Sequence, residues 1–317
     1  MSKRVLIWDS RPPSIQDRIH DVLAAANGFE IEIHESPQDL EAVIERAEVV
    51  ATAGLSADAF NRARSLKWLH EWGAGVDQVL LPEIRDSSVA FTCGKGNGGV
   101  TMAEWAMLVM LMWSKHAGAY LESHSRKEWS PRDHGELNGQ TVGIIGLGNS
   151  GADLAQKCKA FNMRVLGVRR TKEPCPHVDT LYPSESLQEM LALSDFVVVT
   201  APLTSETRGM LGEKEFKAMK PTGYLIVTSR GGIAQDDALL HALNDGWIAG
   251  AGLDAHSLEP LPEDSPLWTA PGVLITPHTA AGGPGQGPRG AEIFIDNLRR
   301  YVGGKPLRNL VDKQVGY

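Results

Sequence analysis

The sequence predicts an α/β protein in which a doubly wound parallel sheet is inserted into a smaller α/β domain. Short apolar strands alternate with helical segments along the chain, a pattern typical of parallel sheets. The strand at 141–145 runs into Gly146, Gly148 and Gly151 and then into a helix, which gives the spacing G-x-G-x-x-G. Breaker-rich stretches at 94–99 and 280–288 predict domains at 1–98, completed by 287–317, and at 99–286.

The first predicted domain is a small flavodoxin-like α/β unit without a phosphate loop. Its strands are predicted at 4–9, 30–34, 48–52, 67–72 and 89–93, and its helices at 14–26, 37–46, 56–64 and, from the end of the chain, 289–302. The second domain is predicted to be of the Rossmann type. It begins with a helix at 101–119, a polar loop at 122–136 and a helix at 152–161 after the glycines. Its six strands are predicted at 141–145, 163–168, 195–200, 223–228, 248–253 and 273–276.

Composition excludes several classes of function. The net charge of −8 argues against a general nucleic-acid or membrane-surface binder. The three cysteines are widely spaced, which indicates a reducing compartment, no disulfide framework and no metal site. The N-terminus enters a short strand pattern rather than a signal-peptide core. The most apolar helical segment, 103–113, is far shorter than the ~20 residues that a bilayer requires. We therefore expect a cytoplasmic protein.

The three glycines after the first strand of the second domain favour a dinucleotide site. In such a loop Gly146 turns the chain, Gly148 lets the backbone approach a pyrophosphate, and Gly151 lets helix pack on strand. The start of the following helix offers unpaired N–H groups and the positive end of a dipole. The alternative is an ordinary glycine-rich turn, which the strand before and the helix after make less favourable.

Cations follow the second strand of this domain, where an acidic residue normally binds the adenosine ribose. Arg169, Arg170 and Lys172 take that place. A guanidinium binds phosphate by two parallel hydrogen bonds, so these residues favour a 2′-phosphate and therefore NADP(H), with NAD(H) still possible. The alternative is a solvated basic turn at the rim of the sheet.

Polar residues follow three later strands, where a parallel sheet presents its ligands. Arg230 could cap a turn, Glu259 could be a solvated loop acid, and His278 could be a structural histidine. Together the three favour acid–base chemistry on an anion. A guanidinium holds a carboxylate by two bonds, a histidine moves protons near neutral pH, and a neighbouring carboxylate favours the charged histidine.

At these residues the chain resembles the D-isomer-specific 2-hydroxyacid dehydrogenases over essentially its whole length. The motifs that carry the resemblance are GIIGLGNSG at 143–151, APLTSETRG at 201–209, SRGG at 229–232, Leu253-Asp254 with EPLP at 259–262, and TPH at 276–278. The resemblance implies hydride transfer between a nicotinamide and a small 2-keto or 2-hydroxy acid such as glyoxylate or hydroxypyruvate. It also implies a homodimer formed through the dinucleotide-binding domain.

The resemblance implies a role for each matching residue. Arg230 would bind the substrate carboxylate and polarise the keto oxygen, His278 would exchange the proton, and Glu259 would orient His278. Backbone N–H groups at Ala74 and Gly75 would also hold the carboxylate. The implied cofactor contacts are Thr101, Gly146, Gly148, Asn149, Ser150, Gly151, Pro202, Thr207, Thr228, Asp254, His278 and Ala280.

A rival interpretation from another class is a dinucleotide-sensing, corepressor-like binding protein of the same fold. Such a protein would keep Arg230, Glu259 and His278 but would need a peptide groove and long partner-binding tails. The absence of long disordered tails from the sequence favours the enzyme. Turnover of a keto acid separates the two interpretations.

Overall fold

The computed structural model describes residues 3–9, 15–170 and 173–317. The chain forms two compact units, one made of Met1–Gly98 with Gly283–Tyr317 and the other of Gly99–Gly282. The second unit is therefore a single continuous insertion into the sequence of the first.

The first unit contains a five-stranded, fully parallel sheet in the order β2-β1-β3-β4-β5. This 2-1-3-4-5 order is that of flavodoxin-like folds and confirms the predicted class. Its strands are β1 (Arg4–Ile7), β2 (Glu30–Ile33), β3 (Val49–Thr52), β4 (Trp68–Glu71) and β5 (Ala90–Cys93). Its helices before the insertion are α1 (Ile19–Ala26), α2 (Pro37–Ala42), α3 (Ala57–Arg62) and α4 (Pro82–Arg85).

Serine side chains start two of these helices. Ser36 accepts a hydrogen bond from Asp39 N at the start of α2, and Ser56 accepts one from Ala59 N at the start of α3. Each hydroxyl satisfies a backbone donor that has no partner inside the helix. The predicted helix at 14–26 begins with a single 3-10 turn at Gln16–Arg18, and its first predicted residue, 14, lies outside the described residues.

The second unit contains seven parallel strands in the order β12-β11-β10-β9-β6-β7-β8, the doubly wound order of a Rossmann domain. The strands are β6 (Thr141–Ile145), β7 (Arg164–Val168), β8 (Thr180–Tyr182), β9 (Phe196–Val199), β10 (Tyr224–Val227), β11 (Gly250–Leu253) and β12 (Val273–Ile275). The helices are α5 (Gly99–Ser114), α6 (Ala117–Ser125), α7 (Asn149–Ala160), α8 (Leu187–Leu193), α9 (Glu213–Ala218) and α10 (Asp236–Asn244). Two apolar cores enclose this sheet.

Four predictions for the second unit are wrong in detail. The sheet has seven strands rather than six, because the short β8 at its edge was missed. The helix predicted at 101–119 is two helices, since α5 ends at Ser114 and His116 adopts a left-handed φ of 53° before α6. The loop predicted from 122 therefore starts inside α6. Helix α7 begins at Asn149, three residues before its predicted start.

The C-terminal helix α11 (Gln286–Val302) completes the first unit. It buries Phe294, Ile295 and Leu298 and packs against α1. Phe294 stacks on Trp68 of β4, with ring centroids 5.5 Å apart. An amphipathic helix gains its stability from burying such a face, and here that face completes a core built on β1 to β5.

A fully buried histidine lies on β4 beside these rings. His70 Nδ1 is 2.8 Å from Thr92 Oγ1, which also accepts the indole N–H of Trp68 at 2.8 Å. The hydroxyl and the imidazole thus share one hydrogen bond inside the core, and the other ring nitrogen, Nε2, has no hydrogen-bond partner among the described residues. Burial lowers the pKa of His70 to about 3.

One hydrogen bond joins the two ends of the inserted unit, and another joins the two segments of the first unit. In the inserted unit Thr101 Oγ1 donates to Ala281 O at 2.7 Å. In the first unit Arg289 Nε donates to Asn97 O at 2.6 Å. Within the described part of the chain, no helix has the length and apolarity needed to cross a membrane.

Candidate functional site

The glycine loop between β6 and α7 is tightly packed at two of its glycines and open at the third. A Cβ on Gly151 would lie 2.1 Å from Gly146 O, and a Cβ on Gly146 (φ +96°) would lie 2.5 Å from Ala201 N. Gly148, in contrast, is exposed and faces open space, with no described atom within 4 Å of its added Cβ. Two glycines thus pack the loop tightly, while the third leaves room for a ligand.

Helix α7 starts at this opening without a side-chain cap. Its N-cap residue is Gly148, which makes no side-chain hydrogen bond, and Asn149 and Ser150 form its first turn. The first N–H groups of a helix have no partner inside the helix, and they carry the positive end of its dipole. An anion such as a dinucleotide pyrophosphate fits this position, so these residues are compatible with the cofactor.

The cations predicted to recognise a 2′-phosphate follow β7 directly. Arg169 is half-buried and Arg170 is exposed at the carboxyl end of that strand. Lys172 and its neighbour Thr171 lie outside the described residues. Strand β7 pairs with β6, so Arg169 follows the strand next to the one that leads into the glycine loop.

Glu259 and His278 form a direct pair. Glu259 lies in the loop after β11 and His278 follows β12, and these two strands are neighbours. His278 Nδ1 lies 2.8 Å from Glu259 Oε2, and both side chains are about a third exposed or less. A carboxylate accepts only, so Nδ1 donates, and Nε2 is the ring nitrogen left to exchange a proton with a ligand.

Glu259 is held in its ionised form. Burial alone would raise the pKa of this carboxyl group. The hydrogen bonds from the His278 ring and from the backbone N–H of His256, with the attraction of these histidines, outweigh burial and leave the pKa below its ordinary value. The pair therefore consists of a carboxylate and a histidine whose ring it orients at neutral pH.

Asp254 holds the backbone on both sides of His278. Its carboxylate is fully buried and accepts hydrogen bonds from Thr276 Oγ1, from Thr279 N at 2.9 Å and from Ala280 N at 2.8 Å. His278 itself adopts a φ of +52°, a value that residues other than glycine rarely adopt. The predicted cofactor residues Asp254 and Ala280 thus bond each other, and Asp254 keeps the loop that carries His278 in an unusual conformation.

Arg230 lies on a loop packed against the Glu259 loop. The loop follows β10, the strand beside β11, and Arg230 Nη1 donates to Ser229 O at 2.9 Å. A Cβ on Gly231 would lie 1.9 Å from the carbonyl carbon of His256, so only glycine allows the two loops to approach this closely. The structure thus brings the loops that carry Arg230, Glu259 and His278 to adjacent strand ends of one sheet.

The other predicted cofactor residues have defined local contacts. Thr207 Oγ1 donates to Pro202 O at 2.7 Å and so fixes the turn after β9. Thr228 is buried, and its hydroxyl donates to Val199 O at 3.1 Å. Ser150 Oγ lies 3.4 Å from Met102 Sδ. Their roles toward a cofactor stay predictions.

Ala74 and Gly75 belong to the first unit, in the loop after β4. The buried carboxylate of Glu71 accepts hydrogen bonds from Gly54 N at 2.7 Å and Gly73 N at 2.8 Å, which fixes the start of this loop. The predicted use of the Ala74 and Gly75 N–H groups for a substrate carboxylate stays a prediction.

His256 was missed by the sequence reasoning, although it lies between two residues that were selected. It is buried, its backbone N–H donates to Glu259 Oε1 at 2.9 Å, and its Nε2 lies 3.1 Å from Thr276 O. A histidine midway between Asp254 and Glu259 was the only signal in the sequence, and that spacing does not reveal where the ring points.

Comparison with known proteins identifies relatives along the whole chain. Residues 107–280 match the family model described as D-isomer specific 2-hydroxyacid dehydrogenase, NAD binding domain. A glyoxylate reductase of Korarchaeum cryptofilum is 31% identical over 301 residues, which cover 90% of this chain and 91% of that protein. A glyoxylate reductase of Thermococcus gammatolerans is also 31% identical and covers the same shares.

Solved structures show the same similarity. A D-isomer specific 2-hydroxyacid dehydrogenase family protein from Aeromonas salmonicida superposes with a TM-score of 0.87 at 29% identity, covering 99% of this chain and 100% of its own. An NADPH-dependent glyoxylate/hydroxypyruvate reductase from Sinorhizobium meliloti, in complex with NADP and sulfate, gives a TM-score of 0.85 at 30% identity, covering 100% of both chains.

Proposed function

Because this chain belongs to the D-isomer-specific 2-hydroxyacid dehydrogenase family, we propose that it transfers a hydride between NADP(H) and a small 2-keto or 2-hydroxy acid. Relatives named glyoxylate reductase and glyoxylate/hydroxypyruvate reductase support reduction of glyoxylate or hydroxypyruvate to the hydroxy acid as the reaction. The observation that carries the proposal is the 2.8 Å contact between His278 and Glu259 at the strand ends beside Arg230.

Arg230, His278 and Glu259 have different roles in the proposed reaction. When bound, the nicotinamide cofactor supplies or receives the hydride at the carbonyl carbon of the acid. The Arg230 guanidinium binds the substrate carboxylate and polarises the keto oxygen. His278 Nε2 gives a proton to that oxygen in reduction and takes it back in oxidation, which is worth roughly 10²–10⁴-fold in rate. Glu259 keeps the ring oriented and stabilises its charged form.

The test is a panel of keto acids with NADPH and NADH, containing glyoxylate, hydroxypyruvate and pyruvate. We expect turnover with at least one acid, a loss of kcat of about 100-fold or more in His278→Ala, and a loss of kcat/KM of more than about tenfold in Arg230→Ala. Tight cofactor binding without turnover of any acid would contradict the enzyme and favour a dinucleotide sensor.

We infer NADP(H) preference from the cations after β7. Arg169 stands where NAD-specific domains place an acidic residue that binds the ribose hydroxyls. Two solved relatives were crystallised with NADP or NADPH, one from Sinorhizobium meliloti and one from Xanthobacter autotrophicus. A guanidinium would pair with the 2′-phosphate that distinguishes these cofactors.

Two arginines at opposite ends of β7, Arg164 at its start and Arg169 just after its end, make the cofactor test sharp. Arg169 follows the carboxyl end of β7, whereas Arg164 is exposed at the start of that strand. Arg169→Ala should reduce the ratio of kcat/KM for NADPH to that for NADH by about tenfold or more, the value of one charge-assisted bond to phosphate. Arg164→Ala should leave the ratio unchanged. Equal use of both cofactors by the wild type would refute the assignment.

A homodimer formed through the inserted unit is part of this proposal. That unit exposes large apolar side chains near α5 and α6, namely Leu108 (51%), Leu121 (65%) and Trp129 (97%). An open groove of about 660 Å³ is lined by Leu121 and by other residues that include Met112, Tyr120 and His134. Exposed apolar surface of this kind favours association, which sedimentation equilibrium would measure directly.

A further inference from the structure

His256 bonds Glu259 directly and reaches the backbone beside His278 through Thr276 O. Its side chain is only 9% exposed, and its backbone N–H donates to Glu259 Oε1 at 2.9 Å. The other carboxylate oxygen, Oε2, receives the hydrogen bond of His278. The main chain at residue 256 therefore fixes the orientation of the carboxylate that in turn orients His278.

The ring of His256 reaches the other loop. Its Nε2 lies 3.1 Å from Thr276 O, and a carbonyl only accepts, so the ring donates to it. The same carbonyl receives the backbone N–H of His278 at 3.1 Å. Thus the carbonyl oxygen of Thr276 accepts hydrogen bonds both from the His256 ring and from the backbone N–H of His278, which lies two residues after Thr276.

This contact matters because His278 lies in a strained backbone conformation. Its φ of +52° belongs to the left-handed region, which non-glycine residues occupy only when their surroundings hold them there. Asp254 supplies one such restraint through Thr279 N and Ala280 N, after His278. The His256 ring supplies another at Thr276, before His278. A small shift of this backbone would move the imidazole ring relative to its ligand.

We propose that His256 is a positioning residue for proton transfer, whose ring hydrogen bond to Thr276 O fixes the direction of the His278 imidazole. The inference rests on the proposed function, in which His278 is the proton donor. Misplacement of a catalytic group by about 1 Å costs up to ~10²-fold in rate. Loss of the ring hydrogen bond should therefore lower kcat while cofactor binding stays intact.

The test compares three variants in each of which one histidine is replaced. His256→Phe keeps a planar ring but removes the donor, whereas His256→Gln keeps a side-chain N–H that can reach a carbonyl. His241→Phe is the matched control, since His241 lies on α10 with 62% of its side chain exposed and pairs with Glu213 rather than with the site. Assays measure kcat, the KM for the keto acid, the Kd for NADPH and the solvent isotope effect on kcat.

We expect His256→Phe to lower kcat roughly tenfold or more, to raise the solvent isotope effect and to leave the Kd for NADPH within about twofold. His256→Gln should recover most of the lost rate, and His241→Phe should behave as the wild type. A purely structural role would weaken cofactor binding and thermal stability without changing the isotope effect.

A double-mutant cycle with His278→Asn separates this inference from the proposed function. If wild-type turnover does not fall about 100-fold in His278→Asn, the proposed proton donor itself is wrong. If it does fall, His256→Phe should cause little further loss in that background, because it acts through His278. Equal proportional losses in both backgrounds, or a kcat within twofold of wild type, would overturn the inference. His256→Asn replaces His256→Phe in the cycle should the latter not fold.

Discussion

The Glu259 carboxylate shows how hydrogen bonds decide the protonation state of one side chain. Burial opposes its charge, yet the bonds from His278 and from the His256 backbone leave its pKa below the ordinary value of 4.5. A lowered pKa means that the folded protein favours the ionised form. The contact with His278 is therefore complete at neutral pH and is lost only as the pH falls through that lowered value.

Glu259→Gln tests this contact. The amide has almost the same shape but no charge, so it can accept from Nδ1 without stabilising a charged imidazole. We expect kcat/KM for keto-acid reduction to fall roughly tenfold or more at neutral pH, and the loss of activity on the alkaline side to begin at lower pH than in the wild type. A pH profile that superposes on the wild-type profile would contradict the role of Glu259.

The sequence could predict that the candidate site residues follow neighbouring strands, but it could not predict the directions of their side chains. Arg230, Glu259 and His278 follow strands whose carboxyl ends a parallel sheet presents at one edge, so their placement near one another could be expected from the order of the elements. His256 lies between two of the selected residues, yet its role depends on a ring that reaches Thr276 O on the next strand. A cross-strand contact of this kind depends on register and loop conformation, which a single sequence does not specify.

The β6–α7 element separates two functions of glycine. Gly151 is needed for packing, because any Cβ there would collide with the backbone oxygen of Gly146. Gly148 has ordinary backbone angles (φ −80°, ψ −156°) and open space beside it. The same fingerprint thus contains one position that tight packing requires to be glycine and one that faces open space.

We predict opposite results for alanine at these two positions. Gly148→Ala should fold with a Tm close to that of the wild type but bind NADPH about tenfold or more weakly, since its methyl group occupies the space a pyrophosphate would take. Gly151→Ala should lower the Tm or the yield of folded protein itself. Calorimetry and fluorescence titration give the two readouts, and normal cofactor affinity in Gly148→Ala would place the pyrophosphate elsewhere.

At the level of elements, the buried central strands of the sheets were easier to predict than the strands at their edges. Buried strands such as β9, with Phe196–Val199 all buried, have an apolar run that a sequence shows directly. The edge strand β8 has three half-buried residues and no such run. The break between α5 and α6 depends on a left-handed His116 without a glycine or proline to mark it, so the sequence predicted one helix.

At the scale of the whole molecule, the buried His70 makes the free energy of unfolding depend on pH in the acidic range. Its pKa in the folded protein is about 3, against 6.5 in its ordinary state. Below about pH 6.5 the unfolded chain therefore takes up a proton that the folded protein does not. As the pH is lowered from 6.5 toward 3, the titration of His70 alone therefore reduces the free energy of unfolding by up to about 1.4 kcal/mol per pH unit.

His70→Phe should remove this dependence. The variant loses the hydrogen bond with Thr92 and is expected to be less stable at pH 8, but its free energy of unfolding should decline less steeply between pH 6.5 and 4. Urea denaturation at several pH values measures both effects. His20→Phe, an exposed position on α1, is a suitable control. An unchanged slope in His70→Phe would show that the buried ring does not govern acid stability.

The two hydrogen bonds at the ends of the insertion have a consequence for how such a protein can be rearranged. A segment can be inserted between two neighbouring positions of a host chain when its ends lie close together, and Thr101 and Ala281, near the ends of residues 99–282, are hydrogen-bonded to each other. The remainder meets the matching requirement through Asn97 and Arg289, so a short linker can rejoin it. We therefore expect residues 99–282 to fold when expressed alone, and residues 1–98 and 283–317 to fold when a short linker joins them.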